Sequence, residues 1–456
     1  MVVGIFCKKQ NSLTKTPMGS VNTMAMIVRD YKARDGSRFS LLIDLEGDAF
    51  PLFYPTAFIT MRMASKTAGS QRVALFALKR LYEWASRHKI DLDHRFATKK
   101  LLTVPEVESL VQAISVNTKK RDGTTIKGAQ VDYSLDILKV YFGWLFGHWI
   151  TDSNATENAK LIERLQANLQ ERKKKTGSKS KAKRERIAKR LSDPADAALL
   201  ELFENADELM KGTPGSEPEE QASLSKPNQL VSLFKRAVLF RNVLALRILY
   251  DTGMRLGELL SLRYPDFIPA SGGDSAHIRI RRNHDDEFDR RMNQPVAKTL
   301  GRTLKISEDL EKMMFEYLGR YRAEIPNVGF KNESFIFVNH KRGENQGREI
   351  EITTFRSALS VIIKRDKRLK GLHPHLLRHH WNYRFSEHCE KMGYSDTKIR
   401  QEREHWMGWV EGSSSALDYD LRHIQQSANE TGIAVASDTA RNKFDRKRSG
   451  SSRYGQ

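Results

Sequence analysis

VSLFKRAVLFRNVLALRILYDTGMRLGELLSL spans residues 231–262. Its first twenty residues are apolar around most of the helical circumference, which places this helix at the centre of a domain and not on its surface. Gly253 interrupts the run and suits a helix C-cap, where glycine tolerates positive φ. Leu256 begins a second helix, so Arg255 falls at the joint, where free backbone N–H groups also favour anions. Glu258 lies three residues on, on the same face, placed to orient a neighbouring cation. Read alone, Arg255 is more often a surface ion pair than a phosphate ligand.

Downstream, AHIRIRR at 276–282 alternates as a strand, and RTLKI at 302–306 alternates again. SFIFVNH at 334–340 reads as a third strand. Helical patterns follow at 307–322, with Ser307 as N-cap, and at 352–364, 375–392 and 395–408. Few strands among many helices predict a mainly helical α+β domain with a small β-sheet over 191–425. Upstream, Asp193-Pro194 reads as a helix start, and 212–227 as a polar loop.

Residues 63–170 predict a separate helical bundle. Val73, Ala77, Leu81 and Trp84 recur at helical spacing, as do Leu135, Leu138, Phe142 and Leu145. Between the two regions, residues 171–190 read ERKKKTGSKSKAKRERIAKR and carry a charge of +9. Such a block cannot bury a core, so it reads as an extended linker or frayed helix. Its lysines and arginines, Lys173, Lys174, Lys175, Lys181, Lys183 and Arg184 among them, suit the tracking of phosphates. Residues 1–62 form an arm or small extension with one short strand at 39–45. Residues 426–456 read as a polar, basic, disordered tail.

The whole chain of 456 residues carries a formal charge of +21. That excess points to a polyanionic partner, nucleic acid first. Only Cys7 and Cys389 are present, so neither a disulfide framework nor a Cys-based zinc module is expected. No apolar run approaches the length that spans a bilayer, and the N-terminal residues lack a secretory pattern. The sequence reads as an intracellular protein, cytoplasmic and nucleoid-associated if prokaryotic.

Two further segments could carry chemistry. In HPHLLRHHWNYRF at 373–385, Pro374 suits the first turn of a helix. His375, Arg378, His379 and Asn382 share one face, while Leu377, Trp381 and Phe385 fall on the other and would bury. The helix is expected to present imidazole and guanidinium outward. A metal site is the rival reading of so many histidines, but no carboxylate or Cys pattern such as HExxH accompanies them. In REHWMGWVEGSSSALDYDLRH at 403–423, Gly408 ends a helix, Trp409 follows, and Ser413, Ser414 and Ser415 can cap a new helix holding Tyr419.

In order, the chain gives Arg in TGxRxxE, HxLRH about 120 residues later, then Gly-Trp, then Tyr ten residues after that Trp. This resembles the tyrosine recombinase (phage integrase) family over residues 63–425, most strongly over 243–421. The resemblance implies that Tyr419 is the nucleophile, Arg255 and Arg378 the catalytic arginines, and His375 the motif histidine. Trp409 falls where the family most often has His. Lys298 looks like the lysine of the β-hairpin, with Lys305 as its rival, and Glu258 and His379 match supporting positions. The interval from Trp409 to Tyr419 is one residue longer than the usual pattern.

What the resemblance implies is site-specific DNA cutting and rejoining through a 3′-phosphotyrosyl link, without metal, ATP or other cofactor. It further implies a helical core-binding domain at 63–170 that grips duplex DNA with the catalytic domain, synapsed homotetramers, and a mobile element such as an integrating phage or transposon as the setting. Accessory DNA-bending or element-encoded proteins are further possible partners. A type IB topoisomerase, sharing the phosphotyrosine chemistry, and a catalytically silent DNA-binding relative are the alternatives.

Overall fold

The computed structural model describes residues 26–45, 49–98, 100, 102–116, 128–148, 155–172, 190–211, 227–416, 419 and 431–436. The chain folds as a mainly helical protein with two small sheets. It divides into two compact units, one of Met1–Tyr31 with Phe39–Lys175, the other of Lys32–Arg38 with Thr176–Gln456.

Strand β2 (Arg38–Asp44) pairs with β1 (Met26–Lys32), and all of both strands but Lys32 and Arg38 belongs to the first unit. The helix Ala68–Arg87 starts at Thr67, whose side chain accepts from Ser70 N. Its buried face is Ala74, Leu75, Leu78, Leu81, Trp84 and Ala85. Of the expected stripe, Ala77, Leu81 and Trp84 are buried, and only Val73, at the margin of this face, is exposed. The helix Val104–Ser115 begins with a reciprocal cap: Thr103 accepts from Glu106 N, and the Glu106 carboxylate accepts from Thr103 N. The helix Gly128–His148 buries Leu135, Leu138, Phe142 and Leu145, the expected stripe, together with Tyr141 and Val131. Burying each such Leu or Phe contributes about 1.5–3 kcal/mol, so these faces hold the bundle closed.

The second unit is built around the helix Pro227–Thr252. Phe240, Val243, Leu244, Ile248 and Leu249 are all buried, as the encircling apolar pattern requires. Against it pack the helices Asp193–Lys211, Glu308–Glu316 and Pro374–Lys391. A three-stranded antiparallel sheet has the order β3 (Phe267–Ile268), β4 (His277–Ile280), β5 (Arg302–Lys305). Ile278 faces Leu304 across β4 and β5, and Ile280 faces Arg302.

The stretch 334–340 departs from the sequence reading. It makes only isolated bridges, Arg263 with Phe335 and Val338 with Glu349, although Ile336, Phe337 and Val338 are fully buried. Its apolar run reflects core burial without a continuous strand partner. Ser307 caps its helix as expected, accepting from Leu310 N, and the last turns widen to π geometry at Tyr317–Arg322. Asp193 is the first residue of its helix and not the residue before it. In the C-terminal segment, residues 431–436 are helical, where disorder was expected. Lys173, Lys174, Lys175, Lys181, Lys183 and Arg184 lie outside the described residues, apart from which Arg172 pairs with Glu108 in the first unit. Among the described residues no helix is long and apolar enough to cross a membrane.

Candidate active site

A helix of 26 residues leaves its last carbonyls without intrahelical donors. Here the last two, and that of the following Gly253, are taken by side chains from distant segments. Trp381 Nε1 donates to Asp251 O at 2.9 Å, Trp406 Nε1 to Thr252 O at 2.9 Å, and Arg378 Nη1 to Gly253 O at 2.8 Å. The two indoles stack at 5.5 Å between ring centres. Gly253 adopts φ +62°, and a Cβ there would lie 2.8 Å from the Trp381 ring, so this junction requires glycine.

Arg378 also donates through Nη2 to Met407 O at 3.2 Å, at the end of the helix Asp396–Met407. Its guanidinium thus joins two helix C-termini, whose partial negative charge favours a cation. It is almost fully buried. Burial, and next the charge of Arg255, pull its pKa down to about 9, which leaves it charged at neutral pH. Buried too are His379 and Asn382. The helix Pro374–Lys391 therefore does not present its polar face to solvent as expected. Of that face, His375 is exposed, while Arg378, His379 and Asn382 turn inward against Gly253, Met407 and Tyr419.

Glu258 is completely buried. Its carboxylate accepts from Arg302 Nη2 at 2.9 Å, Thr299 Oγ1 at 2.5 Å and Arg255 N at 3.0 Å. The Arg255 side chain is a weaker partner at 3.4 Å. Burial pushes this carboxyl up, but Arg302, Arg378 and Thr299 outweigh it and bring it down to about 2. Arg302 in turn donates through Nε to Trp406 O at 2.6 Å. Gly408 closes the same corner: at φ +64°, a Cβ would meet Arg302 Nη1 at 2.6 Å.

Gly408 ends its helix in the left-handed conformation, as its position in the sequence implied, and Trp409 follows. The Trp409 ring stacks on Tyr419 at 5.7 Å and lies 5.4 Å from the Arg378 guanidinium carbon. Ser413 N donates to Glu404, and Ser415 N to Ser413 Oγ, starting the helical turn at 414–416. The Tyr419 hydroxyl lies 2.6 Å from His379 Nδ1, and the His379 ring meets His375 edge to face at 4.2 Å. Tyr419 is 5% exposed.

A cleft of about 660 Å³ opens on this cluster, lined by Arg255, Arg356, His373, His375 and Arg378 among others. His373 caps the helix Pro374–Lys391 through its ring, accepting from Leu376 N at 3.0 Å. Cations and a helix N-terminus at one cleft suit a phosphate group.

The structure thus brings together Arg255, Glu258, His375, Arg378, His379, Trp409 and Tyr419. Lys298 is exposed, in the connection between β4 and β5, one residue before the Thr299 that bonds Glu258. Lys305 is the last residue of β5, opposite His277. Sequence reasoning missed Arg302, Thr299 and Arg356. Arg302 carried a usable signal: it occupies the same inward register of β5 as Leu304, where a cation demands a buried partner. Arg356 carried none, since it is one exposed cation of a helix.

Residues 225–401 match the model of the phage integrase family. This stretch of the chain is a phage integrase family domain. Among solved structures, the chain is similar to the XerH site-specific recombinase bound to difH substrate, a pre-cleavage complex. The identity is 15%, over 82% of this chain and 93% of that chain, with a TM-score of 0.36. The post-cleavage complex of XerH with a palindromic difH substrate gives 16% identity, 80% and 96% coverage, and 0.38. The XerA recombinase gives 14%, 83% and 97%, and 0.28. A search of curated proteins finds no match.

Proposed function

We propose that the chain is a site-specific DNA recombinase that cuts and rejoins strands through a 3′-phosphotyrosyl intermediate. The observation that carries this reading is the pairing of the Tyr419 hydroxyl with His379 Nδ1 at 2.6 Å, beside a Trp409 ring that reaches Arg378. A tyrosine in an ordinary structural role has no need of an imidazole and a buried guanidinium converging on it.

A free phenol has a pKa of about 10 and is a poor nucleophile at neutral pH. His379, protonated at Nε2, accepts the phenol hydrogen through Nδ1 and takes it as the oxygen attacks phosphorus. His375, in contact with His379 and open to the cleft, lies on the route by which that proton leaves. Arg255 and Arg378 hold the nonbridging oxygens and neutralise the charge that grows on them. The Trp409 indole N–H, buried and without a hydrogen-bond partner among the described residues, is available to the same oxygens. Tyr419 is buried, so attack requires a shift of its segment toward the cleft.

The bond from phosphorus to O5′ breaks as the bond to the tyrosyl oxygen forms. O5′ takes a proton from the Lys298 ammonium and leaves as a hydroxyl. Attack by a 5′-hydroxyl reverses these steps, so rejoining requires no ATP. The first unit and the basic stretch 171–190 are proposed to hold duplex DNA, with a homotetramer on synapsed sites. The test is covalent trapping: fragmented double-stranded DNA is incubated with the full chain, denatured, and the DNA that stays bound is sequenced. A recurring site ending in a protein-linked 3′-phosphate and a free 5′-hydroxyl is expected. Adducts at unrelated sequences would favour a topoisomerase, and no adduct at all would contradict both.

A further inference from the structure

The connection between β4 and β5 runs through residues 281–301 and carries Lys298. A connection of this length is expected to wander, yet it is tied down at every few residues. Asn283 accepts from Ala297 N at 3.1 Å and donates to Pro295 O at 3.2 Å. Gln294 donates to Asn283 O. Asp289 and Arg291 form a buried pair at 2.7 Å, and Arg291 continues to Leu260 O and Ile350 O.

The partner that completes this lattice comes from a turn some 250 residues earlier in the chain. Arg38 is 7% exposed, and its guanidinium donates to Gly36 O at 2.7 Å, Arg291 O at 3.0 Å and Gln294 Oε1 at 2.9 Å, and also to Asp289 O. Lys32 Nζ adds bonds to Glu287 O at 2.8 Å and Asp289 O at 2.7 Å. Gly36 has φ +87°, and a Cβ there would lie 2.6 Å from Glu287 N, so the turn seats backbone against backbone.

These bonds form one path: Arg38 to Gln294, Gln294 to Asn283, Asn283 to Ala297, which precedes Lys298. On its other side, Thr299 is held by Glu258. We propose that the turn Lys32–Arg38 is a positioning element of the reaction, and that Arg38 sets the place of Lys298 through Gln294 and Asn283. The proposal rests on the phosphotyrosyl reading, in which Lys298 protonates O5′. Apart from its bond to Gly36 O in its own turn, the Arg38 guanidinium spends its donors on carbonyls and a side-chain amide of one loop, which fixes that loop more strictly than apolar packing does, because each unpaired acceptor would be costly. Displacing a proton donor by about 1 Å is enough to slow a reaction roughly 100-fold.

The test uses leaving-group chemistry. Duplex DNA is made from a site trapped on the wild-type chain, once with O5′ and once with sulfur in its place at the scissile phosphate. A thiolate leaves without a proton, so a defect in protonation vanishes on the sulfur substrate. On the oxygen substrate Lys298→Ala and Arg38→Ala are both expected to cleave about 10- to 100-fold more slowly. On sulfur both are expected to return to within about threefold of wild type. Gly36→Val should behave like Arg38→Ala, and Arg38→Lys should be intermediate. Hydrogen exchange at 283–299 should rise in Arg38→Ala, with the helical content of the chain unchanged. A slowdown of Arg38→Ala equal on both substrates, or absent on oxygen, would overturn the proposal, as would Lys298→Ala staying slow on sulfur. A wild-type chain that forms no adduct with either substrate would instead overturn the phosphotyrosyl reading itself.

Discussion

The Arg378 guanidinium donates to the Gly253 carbonyl at 2.8 Å, across 125 residues of sequence. The bond ties the helix Pro374–Lys391 to the end of the central helix Pro227–Thr252, beside Arg255. The same group reaches Met407 O at 3.2 Å, so one side chain sets the relative places of three helices. Its position is a consequence of unsatisfied helix-end carbonyls, which hold a buried positive charge without solvent support.

Arg378→Lys is the informative change at this position. Lysine keeps the charge but lacks the planar fork that serves two carbonyls at once. Loss of about 1–3 kcal/mol in urea unfolding is expected from the stranded carbonyl. Adduct formation should fall by at least about 100-fold, with duplex binding at low salt retained. Retention of both full stability and full cleavage would show that the fork has no part in either.

Glu258 gives an acid-sensitive prediction. Its folded pKa, about 2, lies below the ordinary carboxyl value of 4.5. The stabilisation is therefore complete above the unfolded value and is lost as pH falls from there toward about 2, because the unfolded chain takes up the proton first. The difference corresponds to about 3 kcal/mol at neutral pH. Glu258→Gln should lower stability by about 3–5 kcal/mol at pH 7, since Arg302 loses its charged partner in a buried place. It should also flatten the stability profile below pH 4.5 relative to wild type. A steep acid limb unchanged in Glu258→Gln would assign that limb to other carboxyls.

Trp409 separates stability from activity. Its indole N–H is a buried donor left unmatched among the described residues, while its ring stacks on Tyr419. Trp409→Phe keeps a stacking ring and removes the unmatched donor, so thermal stability should change by less than about 1 kcal/mol. Cleavage should slow by about 5- to 100-fold, as fits one lost hydrogen bond to a charged oxygen. Unchanged cleavage would leave the ring with a packing role alone.

Much of this arrangement was legible in the sequence. The long apolar helix, the glycine break at 253, the Ser307 cap and the Gly408 stop each follow from rules that act within a few residues. They place Arg255, Trp409 and Tyr419 on the right elements. The inward turn of Arg378 and His379 was not legible, because it depends on what Gly253, Met407 and Tyr419 present from elsewhere. The same holds for Glu258: a nearby cation was foreseen, but Arg302 on β5, 44 residues away, is its main partner. The stretch 334–340 misled because alternation and β-branched residues report burial, and burial was supplied without a strand neighbour. Arg38 was beyond reach, since nothing in a seven-residue turn names the loop that it holds.

The central claim concerns the Tyr419 hydroxyl, and covalent trapping measures it most directly. A nicked duplex carrying the trapped site, incubated with wild type and denatured, should leave a protein–DNA adduct whose digestion yields a nucleotide joined through its 3′-phosphate to the tyrosine of the peptide containing residue 419. Tyr419→Phe should bind the same duplex with similar affinity and leave none. An adduct of undiminished yield from Tyr419→Phe would contradict the account.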